Sequence, residues 1–240
     1  MTQIVLQPQR GFDRDLFERR IRDLAAERGR LDIIEAGCGR RWSLRLDDVD
    51  YRLTGIDTDE AALRARREQA NDLDEWIVGD LRTTELGKET RDVVYCAFVL
   101  EHVEGARQAL DRFTEALRPG GYLILRIPDR DSVYGFLTRV TPFRVHVLYR
   151  RWVTGYKDAG KPGHEPYPTA YDPEISRRGI QKYCDEHGLK IVDEYGSDFY
   201  LSEMGRWRLL IGPMVKLVGL LSFGRLSPRH NNLSFVIQKT

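Results

Sequence analysis

The sequence has few cysteines, no long apolar run and almost no net charge. Cys38, Cys96 and Cys184 lie far apart in the chain, and such spacing fits neither a disulfide framework nor a zinc site. We therefore expect three reduced thiols and no metal centre. No apolar stretch reaches the roughly 18–20 residues that cross a bilayer, and the N-terminus has no apolar signal-peptide core, so we expect a cytoplasmic protein. The formal net charge of +1 gives no reason to expect a nucleic-acid partner.

What the sequence does contain is a regular alternation of two hydrophobic patterns. Short apolar runs bounded by glycine or charged residues predict strands at 31–36, 51–56, 75–78, 92–98, 122–127, 189–195 and 233–239. Apolar residues at helical spacing, with capping residues, predict helices at 12–28, 59–69, 105–117 and 173–187. This alternation predicts an α/β fold with a doubly wound, mostly parallel sheet of seven strands. The last strand is expected to be antiparallel.

The sequence also predicts where individual helices begin and how long the first crossover is. Thr58 or Asp59 is a plausible N-cap for the helix that follows the second strand. Asp172 and Pro173 predict the start of the last helix, as N-cap and first helical residue. Only eleven residues separate Gly39 from Tyr51, so the first crossover is expected to contain an abbreviated helix.

The 240 residues are enough for one large domain with insertions. Residues 128–171 and 199–230 interrupt the alternation. We expect both segments to be insertions after the fifth and sixth strands that together form a lid over the substrate.

The strand tips carry the chemical signals. An apolar run, Leu31–Ala36, ends in Gly37-Cys-Gly39, and the two glycines allow a sharp turn and a close approach of backbone to ligand. The following strands end at Asp57 and Asp80. In an open α/β sheet the ligand lies at the carboxyl ends of the strands, so these residues are expected to share a crevice.

Five motifs in order carry a family resemblance. They are Glu35-Ala-Gly-Cys-Gly39, Gly55-Ile-Asp57, Gly79-Asp-Leu81, Asp92-Val-Val-Tyr-Cys-Ala-Phe-Val-Leu-Glu-His-Val103 and Leu117-Arg-Pro-Gly-Gly-Tyr-Leu123. The set resembles class I S-adenosylmethionine-dependent methyltransferases, and is similar to the small-molecule branch that includes the ubiquinone-biosynthesis methyltransferases. The third glycine that the family often has is absent here, because Arg40, Arg41 and Trp42 follow Gly39.

The resemblance implies a role for each strand-tip residue around S-adenosylmethionine. The Asp57 carboxylate would accept hydrogen bonds from both ribose hydroxyls, and Asp80 would accept from the adenine amino group. Ala97 and Phe98 would flank the methionine end. The full set assigned to the cofactor is Glu35, Gly37, Cys38, Gly39, Asp57, Thr58, Asp80, Leu81, Ala97 and Phe98.

The catalytic and acceptor-binding residues are less defined. His102, just past the fourth strand, is the candidate general base. Its alternatives are a metal ligand beside Glu101, a group that lines the cofactor site, or a histidine packed in the core. The first insertion supplies the candidate acceptor-site residues His146, His164, Tyr167 and Tyr171.

Residues 207–226 are apolar almost all round, with arginines near both ends. Three interpretations compete for this segment: a lid on the acceptor pocket, an interfacial helix that associates peripherally with a membrane, or a contact in a homodimer.

These observations predict transfer of a methyl group from S-adenosylmethionine to a small-molecule or lipid-linked acceptor, with O-methylation favoured. C- or N-methylation is the first alternative. A nicotinamide-dependent oxidoreductase is the second, although its fingerprint requires a glycine or alanine where Trp42 stands. A cofactor-binding scaffold without catalysis is the third.

Overall fold

A computed structural model describes residues 4–152, 155–161, 167–198 and 208–240. The strands in these ranges are β1 (Val5–Leu6), β2 (Leu31–Ala36), β3 (Tyr51–Asp57), β4 (Glu75–Val78), β5 (Arg91–Ala97), β6 (Leu117–Pro128), β7 (Leu189–Ser197) and β8 (Asn232–Lys239). The helices are α1 (Phe12–Arg28), α2 (Glu60–Gln69), α3 (Ala106–Ala116), α4 (Val133–Val140), α5 (Phe143–Trp152), α6 (Arg177–His187) and α7 (Arg208–Leu221), with a 3₁₀ turn at Leu100–His102. Within the described ranges, no helix is both long enough and apolar enough to cross a bilayer.

The strands form one twisted sheet in the order β1-β7-β8-β6-β5-β2-β3-β4. β8 runs antiparallel between β6 and β7, and every other pairing is parallel. The α/β fold with a mostly parallel sheet and an antiparallel last strand is therefore confirmed. Because parallel strands end at the same edge, the carboxyl ends of β2, β3, β4 and β5 lie side by side.

Each face of the sheet has its own hydrophobic core. Neighbouring residues of β2 point to opposite faces, so Ile33 packs with Phe17 and Ile21 of α1, whereas Ile34 belongs to the cluster that contains Phe113 of α3. All of these side chains are almost fully buried. Two covered faces explain why β2 is apolar along its length instead of alternating.

The predicted number of strands was wrong by one. An eighth strand, β1, adds to the sheet edge, where Val5 and Leu6 pair in parallel with Tyr195 and Gly196 of β7. Two residues cannot show a period-2 pattern, so the sequence carries no signal for this strand.

The abbreviated helix expected between Gly39 and Tyr51 was also wrong, because residues 37–50 contain no helix. The chain must return along the full length of a strand in eleven residues. An extended chain rises about 3.3 Å per residue against 1.5 Å for a helix. Leu44 and Leu46 are buried at alternate positions, which is the pattern of an extended segment.

The predicted start of the helix at 173–187 was wrong by four residues. α6 begins at Arg177, and its N-cap is Ser176, whose hydroxyl accepts a hydrogen bond from the Gly179 amide at 3.0 Å. Asp172 instead accepts from the amides of Gly105 and Ala106 at 2.6 and 2.8 Å. Those amides begin α3, and Gly105 has no side chain to cap them. Asp172 thus holds the chain after the first insertion against the crevice.

The N-cap predicted for α2 is confirmed at Asp59, whose side chain accepts a hydrogen bond from the Ala62 amide at 3.0 Å.

Candidate cofactor and acceptor site

Three cavities meet at the carboxyl edge of the parallel strands. The first, of about 340 Å³, is lined by the tips of β3 and β4 and by the 3₁₀ turn. The second, of about 220 Å³, lies between the tips of β2 and β5. Gly37 borders both of them. The third, of about 560 Å³, lies under α4, α5 and α7, and shares Phe98 with the second. The cavities therefore lie next to one another along this edge, from β3 to the helical insertions.

Gly37 lies between the first two cavities and lines both of them. Its φ is +69°, and a Cβ built on it would lie 2.3 Å from Cγ2 of Val99. Its amide donates to the Ile56 carbonyl at 2.8 Å, which ties the bend to β3. Only glycine fits this position, because any side chain would meet both an unfavourable backbone conformation and a filled space.

Asp57 is held by the backbone around it. One carboxylate oxygen accepts from the Gly39 amide at 2.9 Å, and the other accepts from the Asp59 amide at 2.9 Å. Each oxygen of a carboxylate can accept two hydrogen bonds, so both keep capacity for a donor in the first cavity. A fixed carboxylate with two open acceptor positions fits a ribose diol. Thr58 follows it and lines the same cavity.

Asp80 lines the first cavity but already has a charged partner. The Arg82 guanidinium donates to both of its oxygens, with the shortest contact at 2.6 Å, and the Arg82 amide donates at 2.9 Å. These bonds from Arg82 lower the pKa of Asp80 to about 2. An adenine amino group at Asp80 would therefore share the carboxylate with Arg82. Leu81 lines the same cavity and is buried.

Glu35, at the floor of the second cavity, is paired with a buried arginine. Arg66 of α2 is fully buried and donates to the Glu35 carboxylate at 2.7 Å and to the Cys38 carbonyl at 2.8 Å. The same guanidinium holds both oxygens of Asp72. Burial raises the pKa of Glu35, and the charge and hydrogen bond of Arg66 oppose that rise. Glu35 is thus placed to position the glycine bend through Arg66 as well as to border the cavity.

The cysteines are free thiols. Cys38, Cys96 and Cys184 are all buried and form no disulfide, as predicted. Burial raises the pKa of Cys38 to about 12, so its thiol stays neutral where it lines the second cavity.

Phe98 separates the cofactor side from the third cavity. It has a φ of +57°, which is rare for a bulky residue, and the Arg126 guanidinium lies 4.8 Å from its ring centroid. Ala97 and Phe98 both line the second cavity. A strained backbone held by its surroundings is a common feature of ligand sites.

The third cavity is lined mainly by apolar and aromatic side chains, and it contains one buried carboxyl group. Glu101 is 5% exposed, and its Oε2 has no hydrogen-bond partner among the described residues. Burial raises the pKa of this carboxyl to about 8. Tyr171, also buried, lines the cavity with a φ of +50°, and its amide and that of Ala170 donate to the Glu101 carbonyl. A buried acidic group with one unbonded oxygen in an apolar cavity is a candidate for proton transfer.

His102 lines the first cavity, on the cofactor side. Its Nδ1 lies 2.7 Å from the Pro168 carbonyl oxygen, so that nitrogen carries the proton and donates. Its Nε2 lies 3.8 Å from Oε1 of Glu101. The ring of Tyr167 stands edge-on to the imidazole at 5.9 Å. Tyr167 is thus a neighbour of His102 and does not line the third cavity.

His146 lies on α5 at the third cavity. Its Nε2 is 3.1 Å from the carbonyl oxygens of both Thr138 and Thr141, so it donates, and Nδ1 is the acceptor of the neutral ring. His146 and Tyr171 therefore come together at one cavity. His164 lies outside the described residues.

The sequence missed the position of Glu101 and the role of Arg66. Glu101 stands in the motif after the fourth strand, but only the structure shows that its buried carboxyl lines the apolar third cavity, whereas His102 lines the first. Arg66 has no sequence signal, because it stands among other arginines on α2.

An open, mostly parallel sheet with a glycine bend after one central strand and a fixed carboxylate after the next defines a nucleoside-binding α/β protein. Comparison with known proteins narrows this class. Residues 34–125 match the family model described as "Methyltransferase domain". Over these residues the chain is therefore similar to methyltransferase domains, and its relatives include a protein of Mycolicibacterium smegmatis named as a probable S-adenosylmethionine-dependent methyltransferase, 33% identical over 119 residues.

Individual relatives agree with the domain assignment. The chain is 33% identical over 101 residues to trans-aconitate 2-methyltransferase of Paracidovorax citrulli, covering 40% of this chain and 38% of that one. It is 30% identical over 132 residues to the mitochondrial ubiquinone biosynthesis O-methyltransferase of Schizosaccharomyces pombe, covering 48% and 47%. The chain thus spans less than half the length of these curated relatives.

A solved structure extends the likeness of fold to nearly the whole chain. The N-methyltransferase NodS of Bradyrhizobium japonicum, crystallised with S-adenosyl-L-homocysteine, superposes with a TM-score of 0.51 at 18% identity, covering 94% of this chain and 86% of that one. At this identity the likeness concerns the fold.

Proposed function

We propose that the protein transfers a methyl group from S-adenosylmethionine to a hydroxyl group of an apolar small-molecule or lipid-linked acceptor. The observation that carries the proposal is the buried carboxyl of Glu101 in the third cavity. This cavity shares Phe98 with the second cavity, where the methionine end of the cofactor would lie.

The residues assigned to the cofactor would have two roles: some would bind it, and others would position its methyl group. S-adenosylmethionine supplies a methyl group on a sulfonium, which is already a good leaving group. Asp57 would hold the ribose, and the Gly37 bend would let the backbone approach the ligand. Ala97 and Phe98 would border the methyl donor. The chain mainly aligns the reactants and excludes water.

Glu101 would act as the general base for a hydroxyl acceptor. An attacking hydroxyl must lose its proton, and a base is most effective when its pKa lies near the working pH. Burial raises the pKa of Glu101 to about 8, which meets this requirement. A phenol or catechol with an apolar tail fits a cavity lined by Leu137, Val145 and Val215.

His102 would serve as the proton outlet in this scheme. It is exposed, and its Nε2 faces Oε1 of Glu101 at 3.8 Å. Its Nδ1–H bond to the Pro168 carbonyl fixes the tautomer in which Nε2 accepts a proton. His146, whose Nδ1 accepts in the neutral ring, is the second candidate base on the acceptor side.

Transfer assays with tritium-labelled S-adenosylmethionine test the proposal. The acceptors are phenols, catechols, amines and carboxylic acids that carry alkyl or isoprenoid tails. We expect the label in a methyl ether, identified by mass spectrometry. Glu101→Gln should lower kcat by roughly 10²–10³-fold with an unchanged cofactor Kd, and wild-type activity should rise with pH through a midpoint near 8.

His102→Gln serves as the comparison variant. We expect it to lower kcat less than Glu101→Gln does, because it only relays the proton. An N- or C-methylated product formed equally fast by wild type and Glu101→Gln would contradict the proposed O-methylation. Absence of cofactor binding, with reduction of a carbonyl acceptor by a nicotinamide nucleotide, would contradict the transferase assignment itself.

A further inference from the structure

The two segments that enclose the third cavity have an unusual composition. Residues 132–152 and 208–230 contain eight arginines and lysines and no aspartate or glutamate, although the chain has 37 acidic residues elsewhere. We call the exposed side chains of these two segments the basic apolar face. Its charge is of one sign in a protein whose total charge is close to zero.

Large apolar side chains on this face are strongly exposed. Trp152 is 83% exposed, Leu209 79%, Leu220 74% and Phe223 93%. Isolated exposed leucines are ordinary, but contiguous exposed apolar surface on helices marks an interaction site. The further members are Val140, Phe143, Val145, Leu148, Met214, Leu217 and Leu221.

The third cavity opens onto the basic apolar face. Val145 of α5 and Met214 of α7 line the cavity and are also 46% and 51% exposed. Whatever covers this face therefore lies at the mouth of the acceptor cavity.

We infer that the basic apolar face docks on the surface of a bilayer that contains anionic lipid, and that the acceptor enters the third cavity from that bilayer. Aromatic and aliphatic side chains on helices, surrounded by arginine and lysine, are what an interfacial contact with anionic lipid requires. The second part of this inference rests on the proposed function.

A second copy of the chain fits this face less well. A symmetric dimer contact places the same patch opposite itself. Here it would bring basic side chains such as Arg144, Lys216 and Arg225 together with no acidic residue in either segment to pair with them, and like charges in an interface oppose association. Anionic headgroups supply the charge that a second copy lacks.

Vesicle binding tests the inference without any methyl acceptor. The full chain is mixed with vesicles of phosphatidylcholine alone or of phosphatidylcholine with phosphatidylglycerol, and the bound fraction is measured by flotation. We expect at least tenfold stronger partitioning to the anionic vesicles, weakening as salt is raised because screening reduces the electrostatic attraction.

Paired variants test whether the basic apolar face, and no other surface, is responsible for vesicle binding. Trp152→Ser with Phe223→Ser should lower the partitioning at least tenfold, and Arg225→Glu with Arg229→Glu should remove the preference for anionic lipid. Val5→Ser, an exposed apolar residue of β1, should change neither. All variants should bind S-adenosylmethionine like the wild type, which shows that they fold.

Equal partitioning to both kinds of vesicle, or none to either, would overturn the inference. A concentration-dependent dimer in ultracentrifugation that Trp152→Ser with Phe223→Ser abolishes would assign the face to a second copy instead. Either result would leave the transfer assays unaffected, so failure of the docking surface is distinguishable from failure of the methyltransferase assignment.

Discussion

Gly37 and Gly39 share a left-handed backbone and differ in what surrounds them. At Gly37 an added Cβ meets the Val99 side chain, whereas at Gly39 it meets nothing within 4 Å. Gly39→Ala should therefore cost only about 1–2 kcal/mol of conformational energy. Gly37→Ala adds the collision, and should weaken cofactor binding well beyond Gly39→Ala.

Calorimetric titration with S-adenosylmethionine checks this pair of variants. Equal affinities for Gly37→Ala and Gly39→Ala would show that the contact with Val99 does not shape the cofactor site.

Asp57 offers the most direct test of the cofactor assignment. Its carboxylate would accept hydrogen bonds from two ribose hydroxyls, and bonds to charged groups contribute roughly 1.5–3 kcal/mol each. We expect Asp57→Ala to raise the Kd for S-adenosylmethionine at least about 100-fold. Isothermal titration measures this directly.

Asp59→Ala is the matched control for Asp57→Ala. It removes the cap of α2, which accepts from the Ala62 amide, and should cost about 1 kcal/mol of stability. Its cofactor affinity should equal that of the wild type. A wild-type affinity for Asp57→Ala as well would refute the ribose assignment.

At the scale of elements, one buried guanidinium joins α2 to β2. Arg66 is held between Glu35 and Asp72, and removing one partner of a buried ion pair costs about 3–5 kcal/mol. We expect Arg66→Met to lose stability of this order in urea denaturation. Adding Glu35→Gln should restore part of it, because the uncompensated carboxylate is gone.

Arg64→Met is the control on the same helix. Arg64 is exposed and pairs with Glu60, a kind of pair that contributes less than about 1 kcal/mol. If Arg64→Met and Arg66→Met lose equal stability, the buried cluster is not what connects these elements.

Elements whose pattern is local were predictable, and elements fixed by distant partners were not. The apolar runs of β2 and β5 and the helical spacing of α1 carry their own signals. Asp172 shows the limit, because an aspartate before a proline looks like a cap for its own helix. Its partners are the α3 amides of Gly105 and Ala106, 67 and 66 residues away.

The candidate site follows the same rule. Strand-tip residues such as Gly37 and Asp57 line one cavity, and this could be predicted because a parallel sheet brings its strand ends together whatever the loops do. The lining of the third cavity was only partly predictable, since the insertions have no repeating pattern that reports which side chains face inward. Glu101 and His102 are neighbours in sequence, yet they line different cavities.

For the whole molecule, these placements give the sheet edge two chemically different sides. Toward β3 and β4 the cavities carry carboxylates and backbone amides, which suit a polar nucleoside. Toward α4, α5 and α7 the lining is apolar, with one protonatable carboxyl at Glu101. Phe98 stands between the two sides.

Burying that carboxyl has a consequence for global stability. The pKa of Glu101 is raised from 4.5 to about 8 by desolvation. Below about pH 4.5 the group is protonated in both states. Between about pH 5 and 8 the unfolded chain releases the proton that the folded chain retains, so the free energy of unfolding falls as pH rises, and it levels off above about pH 8.

Glu101→Gln cannot ionise, so its stability relative to wild type should increase from about pH 5 to about pH 9 in urea denaturation. Glu85→Gln, at an exposed position, should show no such trend. A stability difference between wild type and Glu101→Gln that stays constant with pH would mean that Glu101 is ionised in the folded protein. The carboxyl would then have a cationic or hydrogen-bonding partner in its cavity, and its selection as the general base would lose its physical reason.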